Sequence, residues 1–211
     1  MSKLQFRIEQ IALAPVNSER AVKLLSDLGL TDWHRDNVVA RGHVYGVPGE
    51  NHALLQFNYQ AGNGNDPAGK PLELEVLKYV HGKNWLQHRP ENTTSHLGMH
   101  VTADELRAFR DYFEAEGIPV AQEVFTQAHT NPVIAGKRSY NYVIFDTFQI
   151  IGVDLKFIVR FDVQPKKAQE DFGSNGPAGT GGTGEVNNKV APVKRAKRVQ
   201  SVAAKRYNSK R

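Results

Sequence analysis

A strand-like segment that runs straight into a helix-like segment occurs twice in this chain, roughly 86 residues apart. The first is Phe6-Arg7-Ile8-Glu9-Gln10-Ile11-Ala12-Leu13-Ala14-Pro15. The second is Ser95-His96-Leu97-Gly98-Met99-His100-Val101. Such a repeat constrains the fold to an internally duplicated one, with each half opening on a strand and a helix. Side chains at i, i+2 and i+4 of a strand share a face, so His96 and His100 point the same way. A polar face with that spacing can hold a metal or a substrate.

The rest of each half follows the same order. After the first strand, placed at 5–14, Asn17 or Ser18 can cap a helix, and Glu19 adds negative charge to its first turn. Ala21, Val22, Leu24, Leu25 and Leu28 recur at helical spacing up to a stop at Gly29. Strands are expected at 37–45, 52–59 and 72–79, with a Gly/Asn/Asp/Pro-rich turn at 61–71. The second half opens on a strand at 95–102. A helix follows from Thr102 or Asp104, carrying Leu106, Phe109, Tyr112 and Phe113 and ending at Gly117-Ile118-Pro119. Further strands are expected at 120–127, 139–146 and 149–161. Each half thus reads β-α-β-β-β. The expected fold class is α+β, two tandem βαβββ modules at 4–80 and 95–162 joined by a connector at 81–94 and forming a cupped mixed sheet.

Charge divides the chain differently. Residues 1–165 hold 16 Lys+Arg against 19 Asp+Glu, whereas residues 166–211 hold 11 against 3. The basic balance therefore belongs to the end of the chain. Residues 163–188 include Gly173 to Gly184, a flexible linker by composition. Residues 189–211 hold nine basic side chains and no acidic one, and they read as a disordered basic tail. Lys194, Arg195, Lys197, Arg198, Lys205 and Arg206 are its candidate contacts to nucleic acid or another polyanion. Tyr207 alone offers stacking, so sequence-specific readout is not indicated. The absence of cysteine excludes disulfides and thiolate metal sites. No apolar run approaches the roughly 20 residues of a membrane span, and no signal-like core opens the chain; the expectation is a cytoplasmic protein.

The motifs resemble those of the vicinal oxygen chelate superfamily, which includes glyoxalase I, bleomycin-resistance proteins and extradiol dioxygenases. Gln10-Ile11-Ala12-Leu13 is similar to the first-strand motif in which His or Gln precedes Ile-Ala-Leu. His96-Leu97-Gly98-Met99-His100-Val101 is similar to the matching strand of the second module. Leu72-Glu73-Leu74-Glu75-Val76-Leu77 and Gly152-Val153-Asp154-Leu155-Lys156-Phe157-Ile158-Val159-Arg160 resemble the strands that end each module. The resemblance covers about residues 4–161. It implies a cupped sheet around one divalent ion, with one ligand from each of these four strands.

Carried over position by position, the implied ligands are Gln10, Glu75, His96 and a fourth on 152–160. Lys156 stands where a Glu is usual, and a protonated amine cannot coordinate. Asp154, on the same strand face, substitutes if the register shifts, as Glu73 does for Glu75. The implied ion is Mg²⁺, Mn²⁺, Fe²⁺, Ni²⁺ or Zn²⁺. Glu75 is the implied catalytic carboxylate, and His100 and Lys156 are cavity candidates. Around them, the connector residues Trp85, His88 and Arg89, the cluster Trp33-His34-Arg35, and the loop His129-Thr130-Asn131-Pro132 can reach the cavity or serve as plain surface.

Two readings follow. One is a metal-dependent, glyoxalase- or lyase-like enzyme acting on a small oxygenated molecule. The other is a degenerate site, with Lys156 paired to Asp154 or Glu75 in place of the metal. That protein would be a small-ligand or protein-binding module tethered to nucleic acid by its tail, an arrangement that suits a phage accessory protein. Because related cups close either within one chain or between two, a homodimer is among the expectations.

Overall fold

The computed structural model describes residues 4–61 and 71–162. The linker expected at 163–188 and the basic tail at 189–211 lie outside the described residues, with all six of the tail's candidate contacts.

Eight strands form one closed mixed barrel. The first module comprises β1 (Gln10–Ala14), α1 (Ser18–Asp27), β2 (Trp33–Val44), β3 (Val47–Asn58) and β4 (Glu73–Gly82). The second comprises β5 (Thr93–His100), α2 (Ala103–Ala115), β6 (Val120–His129), β7 (Arg138–Phe145), a short α3 (Phe148–Ile151) and β8 (Asp154–Asp162). The fold is α+β, built from two βαβββ units as expected. Around the barrel the order is β1-β4-β3-β2-β6-β7-β8-β5. Two antiparallel seams, β1 with β5 and β2 with β6, join the modules edge to edge. The cup therefore closes within a single chain, and no second copy is needed to complete it.

Local chemistry sets the element ends. The Asn17 side chain accepts a hydrogen bond from the Arg20 amide and starts α1. Thr102 and Glu105 cap α2 reciprocally: the Thr102 hydroxyl accepts from the Glu105 amide, and the Glu105 carboxylate accepts from the Thr102 N–H. β2 and β3 extend beyond expectation into a hairpin with a two-residue turn. Its residues Tyr45 and Gly46 both have positive φ, at 46° and 74°, the geometry of a type I′ turn. The strand expected to start at 149 is instead split by α3. The Asp154 carboxylate accepts the amides of Thr147 (3.2 Å) and Phe148 (3.1 Å), which folds this segment back. Gly152, at φ 77°, ends the turn.

Alternation along the strands separates two cores. Inside the barrel, Val38, Ala40, Ala53, Leu55, Leu77, Val124 and Ile144 pack around Trp85. Outside it, Phe109 and Phe113 of α2 stack on Phe157 and Phe145, with ring centroids 4.5 and 4.3 Å apart. α1 contributes less. Its buried residues are Ser18 and Val22, while Leu24 and Leu28, expected on its apolar face, are 59 % and 74 % exposed. Among the described residues, no helix is long and apolar enough to cross a membrane.

Candidate functional site

Above the apolar floor, the inner face of the barrel becomes polar. Gln10 of β1, Glu73 and Glu75 of β4, His96 of β5 and Lys156 of β8 converge there from the four strands that the motifs singled out. The pairing explains how. Gln10 lies beside Glu73 in the parallel β1–β4 ladder, and Gly98 lies between Gln10 and Lys156 across β5. Gly98 is required at that place. A Cβ there would sit 2.8 Å from Gln10 Oε1 and 3.0 Å from its Cβ, so any larger residue would push Gln10 out of the cluster.

Gln10, Glu75, His96 and Lys156 are all buried. His96 Nε2 is 2.8 Å from Gln10 Oε1 and 3.2 Å from Glu75 Oε2. Both neighbours are acceptors, so Nε2 carries the proton, and Nδ1 accepts from the Ser95 hydroxyl at 3.1 Å. The Lys156 ammonium donates to Gln10 Oε1 at 3.2 Å and to Glu75 Oε2 at 3.3 Å, and sits 4.6 Å from the Tyr142 ring centroid. The Gln10 amide nitrogen donates to the Glu73 carboxylate.

Electrostatics divide the charges cleanly. Burial alone would raise the Glu75 carboxyl, but the Lys156 charge and the His96 hydrogen bond overcome it and hold the group down at about 2. Burial, reinforced by Lys156, lowers the His96 imidazole to about 4 against the pull of Glu75. Near neutral pH the cluster thus holds an anionic Glu75 and a neutral His96. Glu73 is pushed upward by burial and by the Glu75 charge. One oxygen of Glu75, Oε1, is buried with no hydrogen-bond partner among the described residues. It borders an inner cavity of about 30 Å³ that also touches Gln122, Tyr79 and Trp85, room for about one water.

These donors do not fit a divalent ion. Gln10, Glu75 and His96 come together as the resemblance implied, but the Lys156 ammonium already bonds the amide oxygen and the carboxylate that would ligate. The imidazole nitrogen beside them bears a proton. Among the described residues, no group of three His, Asp or Glu side chains is arranged to hold a metal. Asp154 does not complete the set. It lies in a different network, accepting from Arg89 Nε (2.7 Å) and Nη2 (3.0 Å) and from the Trp85 indole (3.0 Å). Of the two partners considered for Lys156, the structure shows Glu75.

The cluster forms the base of an open cavity of about 220 Å³, the barrel mouth. Gln10, Glu73 and Lys156 form its bottom, while Phe57, Tyr59, Tyr140 and Tyr142 supply aromatic walls. Tyr140 and Tyr142 stack at 5.7 Å, 10° from parallel. Burial, then Glu73 for Tyr59 and Glu75 for Tyr142, pushes both phenols upward, so they remain hydrogen-bond donors. His100 reaches the rim, where its ring and its amide both bond Glu9. His34, Asn131 and Arg138 share that rim. The connector residues flagged in the sequence take a structural place, with Trp85 and Arg89 sealing the opposite end on Asp154. Sequence reasoning missed the tyrosine walls, although β7's Tyr140-Asn141-Tyr142 alternation is the signal that puts two rings on one face.

The strand order, and the meeting of the four motif strands at one place, agree with the cupped sheet of two modules that the resemblance implied. No protein-family profile matches the chain, and no curated protein does. Among solved structures, similarity is found to a methylmalonyl-CoA epimerase at 14 % identity, covering 75 % of this chain and 98 % of that one with a TM-score of 0.41. It is also found to two variants of the Streptomyces coelicolor methylmalonyl-CoA epimerase in complex with 2-nitronate-propionyl-CoA. One has 12 % identity, coverages of 72 % and 96 % and a TM-score of 0.39. The other has 14 %, 72 % and 93 %, and 0.39.

Proposed function

We propose that this chain is a chelate-fold protein that binds a small planar, oxygen-bearing molecule in its barrel mouth, with the Lys156 ammonium in the role of the family's divalent ion. One observation carries this reading. Lys156 Nζ lies within 3.3 Å of both Gln10 Oε1 and Glu75 Oε2 while its side chain lines the mouth cavity. A buried cation on the cavity floor attracts a carboxylate, enolate or phenolate oxygen, and ring-bearing walls favour a flat body. Benzoate is a suitable probe. Lys156→Met should weaken its binding at least about tenfold, the size of one charge-assisted hydrogen bond. Equal binding by the folded variant would refute the role given to Lys156.

The orphan oxygen of Glu75 supports a catalytic extension. The carboxylate is ionised with a free lone pair and can accept a proton, and its lowered pKa of about 2 makes it a weak base. Solvent deuterium incorporation into the methyl group of pyruvate, compared between the wild type and Glu75→Gln, tests it. Exchange faster than buffer and lost in the variant supports an enzyme, whereas exchange at the buffer rate in both leaves a binding protein.

For 189–211 the proposed role is polyanion association through Lys194, Arg195, Lys197, Arg198, Lys205 and Arg206, supported by its nine unopposed basic residues. Duplex DNA should bind the full chain with steep salt dependence and fail to bind a chain ending at 162. Binding that survives the truncation would move the contact to the barrel.

A further inference from the structure

One buried imidazole is left unused by this reading. His129 ends β6, and its ring lies against Asp36 of β2, with Nδ1 2.6 Å from Oδ2. The other Asp36 oxygen accepts the amides of Thr130 (2.8 Å) and Asn131 (3.0 Å). The carboxylate is thereby fixed by the backbone, and the imidazole by the carboxylate. Nδ1 faces the carboxylate and carries a proton, so Nε2 is the remaining polar atom of the ring, which a hydroxyl can meet as donor or as acceptor. Nε2 is buried and has no hydrogen-bond partner among the described residues, in a side chain that is only 4 % exposed. Leaving a buried polar atom unmet carries its desolvation cost, so an arrangement that holds it rigidly unmet calls for an external partner.

The placement indicates where that partner sits. His129 is the cross-strand neighbour of Val38, so both side chains share the inner face of the barrel. Asp36 lines the mouth cavity, and so does Tyr140, whose ring lies edge-on to His129 at 5.6 Å. In the closed strand order, β6 is four strands from β1, and β2 is four from β5. The His129–Asp36 pair therefore stands on the wall opposite Gln10 and His96, across the cavity from the Lys156 cluster.

We infer that His129 Nε2, held by Asp36, is a second recognition point of this cavity. The ligand class is then a planar molecule with an anionic or carbonyl oxygen at one end, for Lys156, and a hydroxyl at the other, for His129. This inference rests on the ligand-binding reading above, and the experiment separates the two. Calorimetric titrations of benzoate, 3-hydroxybenzoate and 4-hydroxybenzoate are made on the full chain as wild type, His129→Leu and Lys156→Met.

At least one hydroxybenzoate should bind the wild type about tenfold tighter than benzoate. In His129→Leu the ratio of hydroxybenzoate to benzoate affinity should fall to about one, and in Lys156→Met all three should weaken. A hydroxyl preference that is absent in the wild type, or intact in His129→Leu, overturns the role of His129 while leaving Lys156 standing. No binding by any of the three, or binding indifferent to Lys156→Met, overturns the cavity reading and this inference with it. If His129→Leu does not fold, ¹⁵N imidazole spectra of the wild type decide the matter. The Nε2 resonance of His129 should move with a hydroxybenzoate and stay still with benzoate, and a resonance that ignores both overturns the inference.

Discussion

Two buried ion networks are anchored on the same strand, β8, two residues apart, and they differ in completeness. Asp154 has every lone pair engaged: Arg89 grips both its oxygens, the Trp85 indole donates to one, and two backbone amides close the other. Arg89 is shared in turn with Asp146 at 2.6 Å. Lys156 sits in a cluster that is open on its cavity side and leaves Glu75 Oε1 unmatched. A network satisfied from within is architecture, fixing the connector over the barrel floor. One left partly unsatisfied beside a cavity is poised for something from outside. The contrast also explains why Asp154, the nearest acid to the vacant ligand position in sequence, is no ligand: its valences are taken.

The largest expected effect sharpens this contrast. Asp154→Ala leaves the buried Arg89 with Asp146 as its one carboxylate partner among the described residues, and urea denaturation should show a loss of roughly 3–5 kcal/mol. A loss below about 1 kcal/mol would show that the floor network is not structural. Lys156→Met leaves the Glu75 anion uncompensated and should cost on the order of 3 kcal/mol. Adding Glu75→Gln should restore most of that, because the double variant removes both charges. Additive losses in the pair would contradict direct coupling. Gly98→Ala is next, at roughly 1–3 kcal/mol, because its methyl group meets Gln10. It should also weaken benzoate binding, and unchanged binding would show that Gln10 does not help to position the cluster.

The pH dependence is the subtlest expectation. Both His96 and Glu75 are depressed in the folded state, from ordinary values of 6.5 and 4.5 to about 4 and about 2. The unfolded chain therefore binds more protons than the folded one, and stability falls with acidification. The His96 contribution is complete above pH 6.5 and is lost between 6.5 and 4. That of Glu75 is complete above 4.5 and is lost as pH falls toward 2. In His96→Asn the upper window should flatten while the lower one persists. A wild-type stability constant between pH 7 and 4 would contradict a neutral buried His96.

Much of this was legible in the sequence because it is periodic. The duplicated strand–helix units and the α2 stripe of Leu106, Phe109 and Phe113 follow from alternation and order, whereas the meeting of Gln10, Glu75 and His96 is what the family resemblance implied. What escaped depends on contacts between distant segments. The α3 turn in 148–151 exists because Asp154 recruits the Thr147 and Phe148 amides, whereas Phe148-Gln149-Ile150-Ile151 taken alone reads as strand. The exposure of Leu24 and Leu28 reflects how little of α1 the barrel wall covers. The Asp36–His129 pair joins residues 93 apart that no motif connects. The proposed ammonium reading turns on Lys156, whose bonds to Gln10 and Glu75 only the folded geometry reveals.

The most direct test of that choice is metal content after incubation with Mn²⁺, Ni²⁺ or Zn²⁺ and desalting, for the wild type beside Lys156→Glu and His96→Ala. If the ammonium takes the ion's place, the wild type holds no stoichiometric metal. Lys156→Glu, which supplies a fourth ligand, the third with an oxygen donor, and removes the competing cation, gains close to one ion per chain. A wild type that retains near-stoichiometric metal, and loses it in His96→Ala, would contradict the account.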